Sequence, residues 1–369
     1  MIPRLIDTTL REGAQAPVRY LRTGQKVEIL AALAKIGVAE IELGHAVAES
    51  GFGPEPLAEL IELAATEAPG VRRAIWCRAR TEDITFAAAL SPEVISFALP
   101  VSERHLVRRL GRDRSWALTQ VTELTRAARS AGVGYVSIGL EDASRADVTF
   151  LRQVAEAAER AGVDRLRIAD TVGIASPGLV AALIAEVGGR YSGEIGVHLH
   201  NDFGMATAGA IAAIQAGAAW VDVSLLGLGE RAGISRLEEV CGWLGLQAGA
   251  AYDLHAVRDI TARLSAWVDR PIPASAPVIG SDIFTCESGL HVAGIAADPG
   301  TYEPYPPEAV GARRSLRLGR HSGRAAVAAL LPNAGGDLRA TTARIRASAC
   351  VQEHSLDPRN LGHLDQDSA

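Results

Sequence analysis

Two histidines close an apolar alternating run near the middle of the chain, in residues 194–202 (EIGVHLHND). Side chains at positions i and i+2 of a β-strand point to the same face, so His198 and His200 can bind one ion. A second polar cluster, residues 7–15 (DTTLREGAQ), ends the first apolar run of the chain in the same way. An isolated His-x-His pair can equally be solvated or packed in a core, but Asn201 and Asp202 follow directly here. We interpret the two clusters as halves of one metal site.

The elements that must position these residues form a repeat along the chain. Each unit has a short apolar or β-branched run, a polar or glycine-containing turn, and a helical stretch rich in Ala, Leu and Glu. The runs start at Ile2, Val38, Val71, Val94, Tyr135, Arg165, Glu194 and Trp220. Helical stretches over residues 24–35, 115–131, 146–161 and 177–188 lie between some of them. Eight such units in about 250 residues predict an α/β fold of the (β/α)₈ TIM-barrel type, with a doubly wound open sheet as the alternative.

A (β/α)₈ barrel places catalytic groups at the C-terminal ends of its strands. The polar residues of this chain follow that rule, at Arg11, Glu12, Glu42, Arg78, Glu141, Asp142, Asp170, Thr171, His198, His200, Glu230 and Arg231. Some of them also have purely structural interpretations. Glu42 could neutralise an arginine inside the barrel mouth, and Asp170 could cap a helix. Glu230 and Arg231 could pair with each other.

The chemistry that suits this set is Lewis-acid activation of an oxo acid. Two imidazoles and one carboxylate leave open positions on a divalent ion, which can chelate a 2-oxo acid through its ketone and carboxylate oxygens. Arg11, beside Glu12, could neutralise the charge that grows on the ketone oxygen during attack. The sequence therefore predicts carbon–carbon bond chemistry on an oxo acid. Metal-assisted hydrolysis uses similar ligands and remains an alternative.

Bulk composition restricts the class of protein. The chain has 369 residues, 48% of them hydrophobic, which favours one large domain with an appendage, and its net charge of -6 predicts no nucleic-acid partner. Four cysteines lie far apart without a CxxC motif, so we expect a reducing cytoplasm rather than a disulfide framework. No export signal is predicted at the N-terminus. The uncharged residues 203–221 are rich in Ala and Gly, which predicts a buried helix and strand rather than a membrane span.

The composition changes after about residue 265. The segments PIPASAPVIG and TYEPYPPEAVGARR are rich in proline and lack helical periodicity. We therefore predict a catalytic TIM-barrel domain over residues 1–268 and a small C-terminal lid and dimerisation region over residues 269–369. We expect this region to be too irregular for a sizeable core of its own.

Several motifs resemble the family of 2-isopropylmalate and homocitrate synthases, which are acetyl-CoA-dependent Claisen enzymes. DTTLREGAQAP is similar to the opening motif of the family, LHNDFGMATA to its metal-histidine motif and LGLGERAGISRLEE to its Gly-Glu-Arg loop. ESGLHVAGI and LGRHSGR resemble its C-terminal signatures. Leu226 and Ile234 stand where isopropylmalate synthases tend to carry Asn. Together with WCRA, VSIGLEDASRAD and LPVSERHLVRRLGRDRSW, they resemble the short nitrogen-fixation-type homocitrate synthases.

The resemblance implies a role for each matching residue. The metal ligands would be Glu12, His198 and His200, holding Mg²⁺, Mn²⁺ or Zn²⁺. Arg11 would contact the oxo-acid oxygen, Thr171 its carboxylate, and Gln15 and Arg78 the same substrate. Glu141 would lie near the acetyl methyl group. His291 would be the lid histidine used in proton transfer, which in the family comes from the partner subunit of a homodimer.

The resemblance also implies the reaction. The protein would be an acyltransferase that condenses acetyl-CoA with a 2-oxo acid, with 2-oxoglutarate as the first choice of acceptor. The alternatives are 2-oxoisovalerate, pyruvate, oxaloacetate or phosphonopyruvate. A retro-aldol lyase of the same barrel superfamily is less favoured, because such lyases lack the region with LGRHSGR.

Four features depart from the family pattern. Ala14 replaces the usual Glu, Val18 replaces a usual Gly, and Cys286 stands where close relatives often have His. The fourth is the loop over residues 44–53 (GHAVAESGFG). We expect these features at or near the oxo-acid pocket, where they would affect the choice of acceptor. We also expect His291 to be the base, with Glu141 orienting it, and His45, in the loop after the second strand, to be its rival.

Overall fold

The computed structural model describes residues 2–47, 55–332 and 337–361. It divides the chain into two compact units, Met1–Pro271 and Ile272–Ala369. The sequence placed the corresponding boundary after residue 268. The role of the second unit as a lid and dimerisation region stays a prediction.

Strands and helices alternate through the described residues of the first unit. In chain order they are β1 (Arg4–Asp7), α1 (Thr23–Ile36), β2 (Glu40–Ala46), α2 (Glu55–Glu67), β3 (Arg72–Cys77), α3 (Thr81–Ala89), β4 (Val94–Pro100), α4 (Arg114–Ser130), β5 (Val136–Glu141), α5 (Val148–Ala161), β6 (Arg165–Asp170), α6 (Pro177–Gly188), β7 (Glu194–Leu199), α7 (Ala206–Gln215), β8 (Trp220–Val223), α8 (Leu237–Gln247) and α9 (Leu254–Val268).

The eight strands form a closed barrel in the order β1 to β8. Neighbouring strands are parallel, and β8 closes on β1 with Trp220 opposite Arg4 and Val223 opposite Asp7. The glycines after helices allow the chain to turn back to the barrel; Gly162, for example, ends α5 with a left-handed φ of 69°. The predicted (β/α)₈ barrel is confirmed.

Paired charges fill part of the barrel interior. The two terminal guanidinium nitrogens of Arg165 lie 3.1 and 2.5 Å from the carboxylate oxygens of Glu40. One layer nearer the mouth, Arg167 Nη1 lies 2.7 Å from Glu42 and 2.8 Å from Asp222. These side chains are at most 3% exposed, and buried charges persist only when they are paired in this way. The charged layers therefore support the groups at the mouth from below.

The uncharged residues 203–221 contain α7 and lead into β8. The predicted helix and strand are both present; β8 is fully buried, whereas α7 is buried on one face only, which includes Ala206, Ala210 and Ala213. Across the part of the chain that the structure describes, every helix is too short or too polar to span a membrane.

The second unit consists of short strands and helices, which are β9 (Thr285–Cys286), α10 (Gly289–Ala297), β10 (Ser315–Leu316), α11 (Arg324–Leu330) and α12 (Leu338–Gln352). The two strands pair in parallel, with Ser315 opposite Thr285. An apolar cluster that includes Val292, Val327 and Ile345 packs the three helices together. The region is thus more regular than the sequence indicated, because small and apolar residues lie on the inner face of each helix.

Candidate active site

Three predicted metal ligands meet at the barrel mouth. Glu12 lies in the turn after β1, His198 lies on β7, and His200 follows the end of β7. The Thr8 carbonyl accepts hydrogen bonds from the amides of Arg11 and Glu12, so the chain bends back over the mouth. One ligand atom from each of the three buried side chains lies within 4.8 Å of the others. His198 Nε2 is 3.9 Å from Glu12 Oε2.

The surroundings of the two histidines fit a bound metal ion. His198 Nδ1 lies 2.8 Å from Asp222 Oδ2, which leaves Nε2 to point its lone pair at the cavity. His200 Nδ1 is buried and makes no hydrogen bond to the described residues. Burial, and then the neighbouring His198, lowers the pKa of His200 to about 4, so its imidazole is a neutral ligand at pH 7. Two nitrogens and a carboxylate oxygen suit Mg²⁺, Mn²⁺ or Zn²⁺.

Arg11 is held beside this triad by two carboxylates. Its Nε donates to Glu42 Oε2 at 2.8 Å, and its Nη1 donates to Glu12 Oε2. Burial alone would raise the pKa of Glu42, but the Arg11 and Arg167 charges outweigh burial and hold this pKa well below its ordinary value. Glu42 therefore neutralises arginines inside the barrel mouth, which is the structural role that the sequence suggested for it.

One cavity of about 320 Å³ contains most of the predicted site residues. Its walls include the triad together with Arg11, Gln15, Glu141 and Thr171. Thr171 Oγ1 accepts a hydrogen bond of 2.8 Å from the Asp142 amide, so its own hydrogen can point to a ligand. The arrangement can bind a small anion beside a cation.

Glu141 has two partners that the sequence analysis missed. His105 Nδ1 lies 2.7 Å from Glu141 Oε1, and Arg109 Nη2 donates to Glu141 Oε2 at 2.7 Å. Both partners belong to a π-helical turn, Arg104–Arg109, that follows β4. His105 could have been identified from its position just after the fourth apolar run, where a barrel carries functional groups.

Comparison with known proteins identifies the family. The HMGL-like family profile matches residues 2–263, and the profile described as "Homocitrate synthase post-HMGL domain-like" matches residues 278–352. A homocitrate synthase of Frankia alni is 42% identical over 326 residues, which cover 88% of this chain and 91% of that protein. The chain belongs to the homocitrate synthase and 2-isopropylmalate synthase family. This result confirms the predicted family and, with it, the predicted enzyme class, an acyltransferase.

Two further matches fit this assignment. The 2-isopropylmalate synthase 2 of Caldanaerobacter subterraneus subsp. tengcongensis is 37% identical over 88% of this chain and 83% of its own length. A solved hydroxymethylglutaryl-CoA lyase from Pseudomonas aeruginosa has a TM-score of 0.61 at 23% identity, covering 72% of this chain and 93% of that structure. The similarity to the lyase structure supports the barrel fold alone.

The remaining predicted site residues are Arg78 and His291. Arg78 lines a neighbouring cavity, and its Nε lies 2.5 Å from Asp83 Oδ2. His291 lies on α10 in the second unit, exposed to solvent, with its ring centroid 4.1 Å from that of Tyr302. The substrate-binding role of Arg78 stays a prediction. The proton-transfer role of His291 stays a prediction.

His45 lies on β2 itself, so its placement in the following loop was wrong. It lines the metal cavity and contacts the Trp76 ring edge-on at 4.9 Å between centroids. Partial burial, and then the Arg11 charge, lowers the pKa of His45 to about 4. His45 is also not the sole rival of His291, because His105 contacts Glu141 directly.

The sequence also allowed structural roles for Asp170, Glu230 and Arg231, and the structure supports these roles only in part. Arg231 pairs with Asp202, with two contacts of 2.9 Å, while its Nη1 lies 3.8 Å from Glu230. Asp170 Oδ2 accepts from the Ala175 amide at 2.8 Å in the loop before α6, whose N-cap is Ser176. Asp170 therefore orders a loop and does not cap a helix.

The departures from the family pattern lie in different places. Ala14 and Val18 line a separate cavity of about 230 Å³ with apolar residues such as Leu10 and Leu228, and their effect on the choice of acceptor stays a prediction. Cys286 lies on β9 in the second unit. Of the loop over residues 44–53, the part after residue 47 lies outside the described residues.

Proposed function

We propose that this chain condenses acetyl-CoA with a 2-oxo acid and releases CoA, with 2-oxoglutarate as the acceptor and homocitrate as the product. The observation that carries the proposal is that Glu12, His198, His200 and Arg11 line a single small cavity. A metal triad with an oriented guanidinium beside it suits attack on a chelated ketone.

A divalent ion held by Glu12, His198 and His200 would chelate the oxo acid and polarise its ketone. Arg11 would stabilise the negative charge that grows on the ketone oxygen. Its planar fork is fixed by Glu42 and Glu12, so the remaining donors keep their direction during the reaction. The Thr171 hydroxyl and Gln15 would bind the carboxylate next to the ketone.

A base must remove a proton from the acetyl methyl group before that carbon can attack. We propose His291 for this step, supplied by the partner subunit of a homodimer, with Glu141 orienting it. His105 and Arg109 would in turn position Glu141. The methyl carbon then bonds to the ketone carbon, and the ketone oxygen takes up a proton. Water cleaves the thioester, which gives a carboxylate and the free thiol of CoA.

The other acceptors named above would use the same metal and Arg11. A retro-aldol lyase is less well supported, because residues 278–352 match the domain that follows the barrel in homocitrate synthases. We further propose that the protein works in the cytoplasm, since its four cysteines are all free.

The test is thiol release from acetyl-CoA with a panel of oxo acids. We expect release only when a divalent ion and an oxo acid are both present, and fastest with 2-oxoglutarate. A Glu12→Gln variant removes a ligand charge and should lose the activity, while the exposed-pair variant Arg263→Gln should keep it. Thiol release that is independent of any oxo acid would contradict the proposal.

A further inference from the structure

The turn after β1 takes part in two different cavities. Arg11 and Glu12 line the metal cavity, whereas Thr9, Leu10 and Gly13 line the separate cavity of about 230 Å³. We call the separate cavity the turn cavity. Because alternate parts of one short turn line the two cavities, a molecule in the turn cavity would contact the segment that positions Glu12.

The turn cavity is mainly apolar. Leu10, Val18, Leu228 and Val268 contribute side chains to its lining, and three of them, Leu10, Leu228 and Val268, are buried. Sites for drug-sized ligands have volumes of roughly 300–1,000 Å³, so this cavity suits a smaller molecule with an apolar body.

Lys26 adds a positive charge to this apolar lining. It lies in the first turn of α1 and is partly buried, and its ammonium group has no ion pair or hydrogen bond with any residue that the structure describes. Arg19, the other cation of the lining, already pairs with Asp269, with 3.1 Å between Nη2 and Oδ2. An unpaired ammonium beside an apolar cavity suits a carboxylate that carries an apolar chain.

The loops that form the turn cavity also support Glu12. A Cβ at Gly13 would lie 3.2 Å from the Leu228 Cβ, so the loops after β1 and β8 are in close contact. The next residues of the β8 loop contact the metal side, where the Glu230 amide donates to Glu12 Oε1 at 3.4 Å. A molecule packed against Leu10 and Leu228 would therefore restrict both loops that hold Glu12.

We propose that the turn cavity is an effector site for a small carboxylate with an apolar chain, and that its occupation strengthens metal binding at Glu12. The carboxylate pairs with Lys26, and the chain packs against Leu10, Val18 and Leu228. An acid that binds preferentially to the ordered turn raises the metal affinity, and the metal raises the affinity for the acid by the same factor. The inference goes beyond the proposed condensation and depends on it only through the proposed metal triad.

The first measurement is calorimetric titration of hexanoate and of hexan-1-ol into metal-free protein. The two probes have the same number of carbons, but only hexanoate is charged at neutral pH. We expect the wild type to prefer hexanoate, and Lys26→Met to reduce this preference by ~10-fold because it keeps an apolar side chain of similar length without the charge. The chain has two lysines, and the second, Lys35, lies in the last turn of α1 and does not line the cavity, so Lys35→Met is the matched control. Val18→Phe, which fills the cavity, should abolish binding of both probes.

The second measurement is titration of Mn²⁺ with and without saturating hexanoate. The dissociation constant for Mn²⁺ should fall by ~5-fold or more in the wild type and in Lys35→Met, and should not change in Lys26→Met or Val18→Phe. The two cavity variants test the site independently, so the result does not rest on the folding of either one.

Four results would overturn the inference. Hexanoate that does not bind, or that binds no more tightly than hexan-1-ol, would mean that the cavity is not an acid site. An Mn²⁺ affinity that hexanoate leaves unchanged in the wild type would exclude the effector role. An effect that persists in both cavity variants would place the acid on the metal itself. Neither titration requires turnover, so a protein that binds both ligands but releases no thiol with any oxo acid would refute the proposed condensation and leave the effector site standing.

Discussion

Asp222 offers a sharp test of the proposed metal centre because it contacts His198, a proposed ligand, but does not line the metal cavity itself. Its Oδ2 accepts from both His198 Nδ1 and Arg167 Nη1, each at 2.8 Å. In Asp222→Asn, the amide oxygen can keep both contacts, and the new NH₂ group takes the place of Oδ1, which is buried without a partner among the described residues. The substitution therefore removes a negative charge with little change of shape.

The expected magnitude follows from the charges around Asp222. Arg11, Arg167, Glu12, Glu42 and Asp222 form a connected cluster of two cations and three anions. A divalent ion changes its net charge from -1 to +1 in the wild type, but from 0 to +2 in the variant. Loss of a carboxylate behind a metal-binding histidine weakens metal affinity by ~10-fold to 100-fold, or about 1.4–2.7 kcal/mol.

The assay is calorimetric titration of Mn²⁺ into metal-free protein at neutral pH. Glu40→Gln is the matched control, because Glu40 is equally buried and pairs with Arg165 but contacts no metal ligand. His198→Ala shows how far the Mn²⁺ affinity falls when a proposed ligand is removed. An Asp222→Asn variant that binds Mn²⁺ as tightly as the wild type, while His198→Ala does not, would refute the reasoning.

Three further predictions concern the catalytic groups and the buried acids. Arg11→Lys should keep its metal, measured by metal analysis, while kcat falls by ~10² because the planar fork is lost; near-normal turnover would reduce Arg11 to a packing role. Inactive His291→Ala and Arg11→Ala subunits should recover up to about a quarter of wild-type activity after random exchange, and no recovery despite proven exchange would exclude a shared site. Burial raises the pKa of Asp7 to about 7, so the folded state binds its proton more tightly than the unfolded state and stability falls as pH rises from ~4 to ~7. The free energy of unfolding of Asp7→Asn minus that of the wild type, measured by thermal unfolding, should therefore increase by up to ~4 kcal/mol over this pH range. A difference that does not change with pH would contradict the raised pKa of Asp7.

The barrel and the triad could be predicted because their signals are local. The alternation of strands and helices and the spacing of His198 and His200 are read directly from short stretches of sequence. The charged layers inside the barrel could not be predicted in this way. Alternation shows that Arg165 and Arg167 share a face, but their partners Glu40 and Glu42 lie 125 residues away in the chain.

The errors at the site have a common physical cause. The pairing of Arg78, near a strand end, with Asp83, five residues later and beside the neighbouring cavity, was not predicted. His105 was missed because the π-helical turn that carries it has only 6 residues, too few for a sequence pattern to show which way its side chains point. Pairing within irregular loops depends on the folded geometry, whereas strand ends are fixed by the barrel.

The central claim is that the metal-held oxo acid is attacked by the acetyl methyl carbon. Its most direct test is incubation of the metal-loaded protein with 2-oxoglutarate and acetyl-CoA that carries ¹³C in the methyl group. Nuclear magnetic resonance should show the label in a new methylene group bonded to a tertiary alcohol carbon, with one free CoA thiol per labelled product. Label recovered as free acetate, or acetyl-CoA that is not consumed with any 2-oxo acid, would contradict the account.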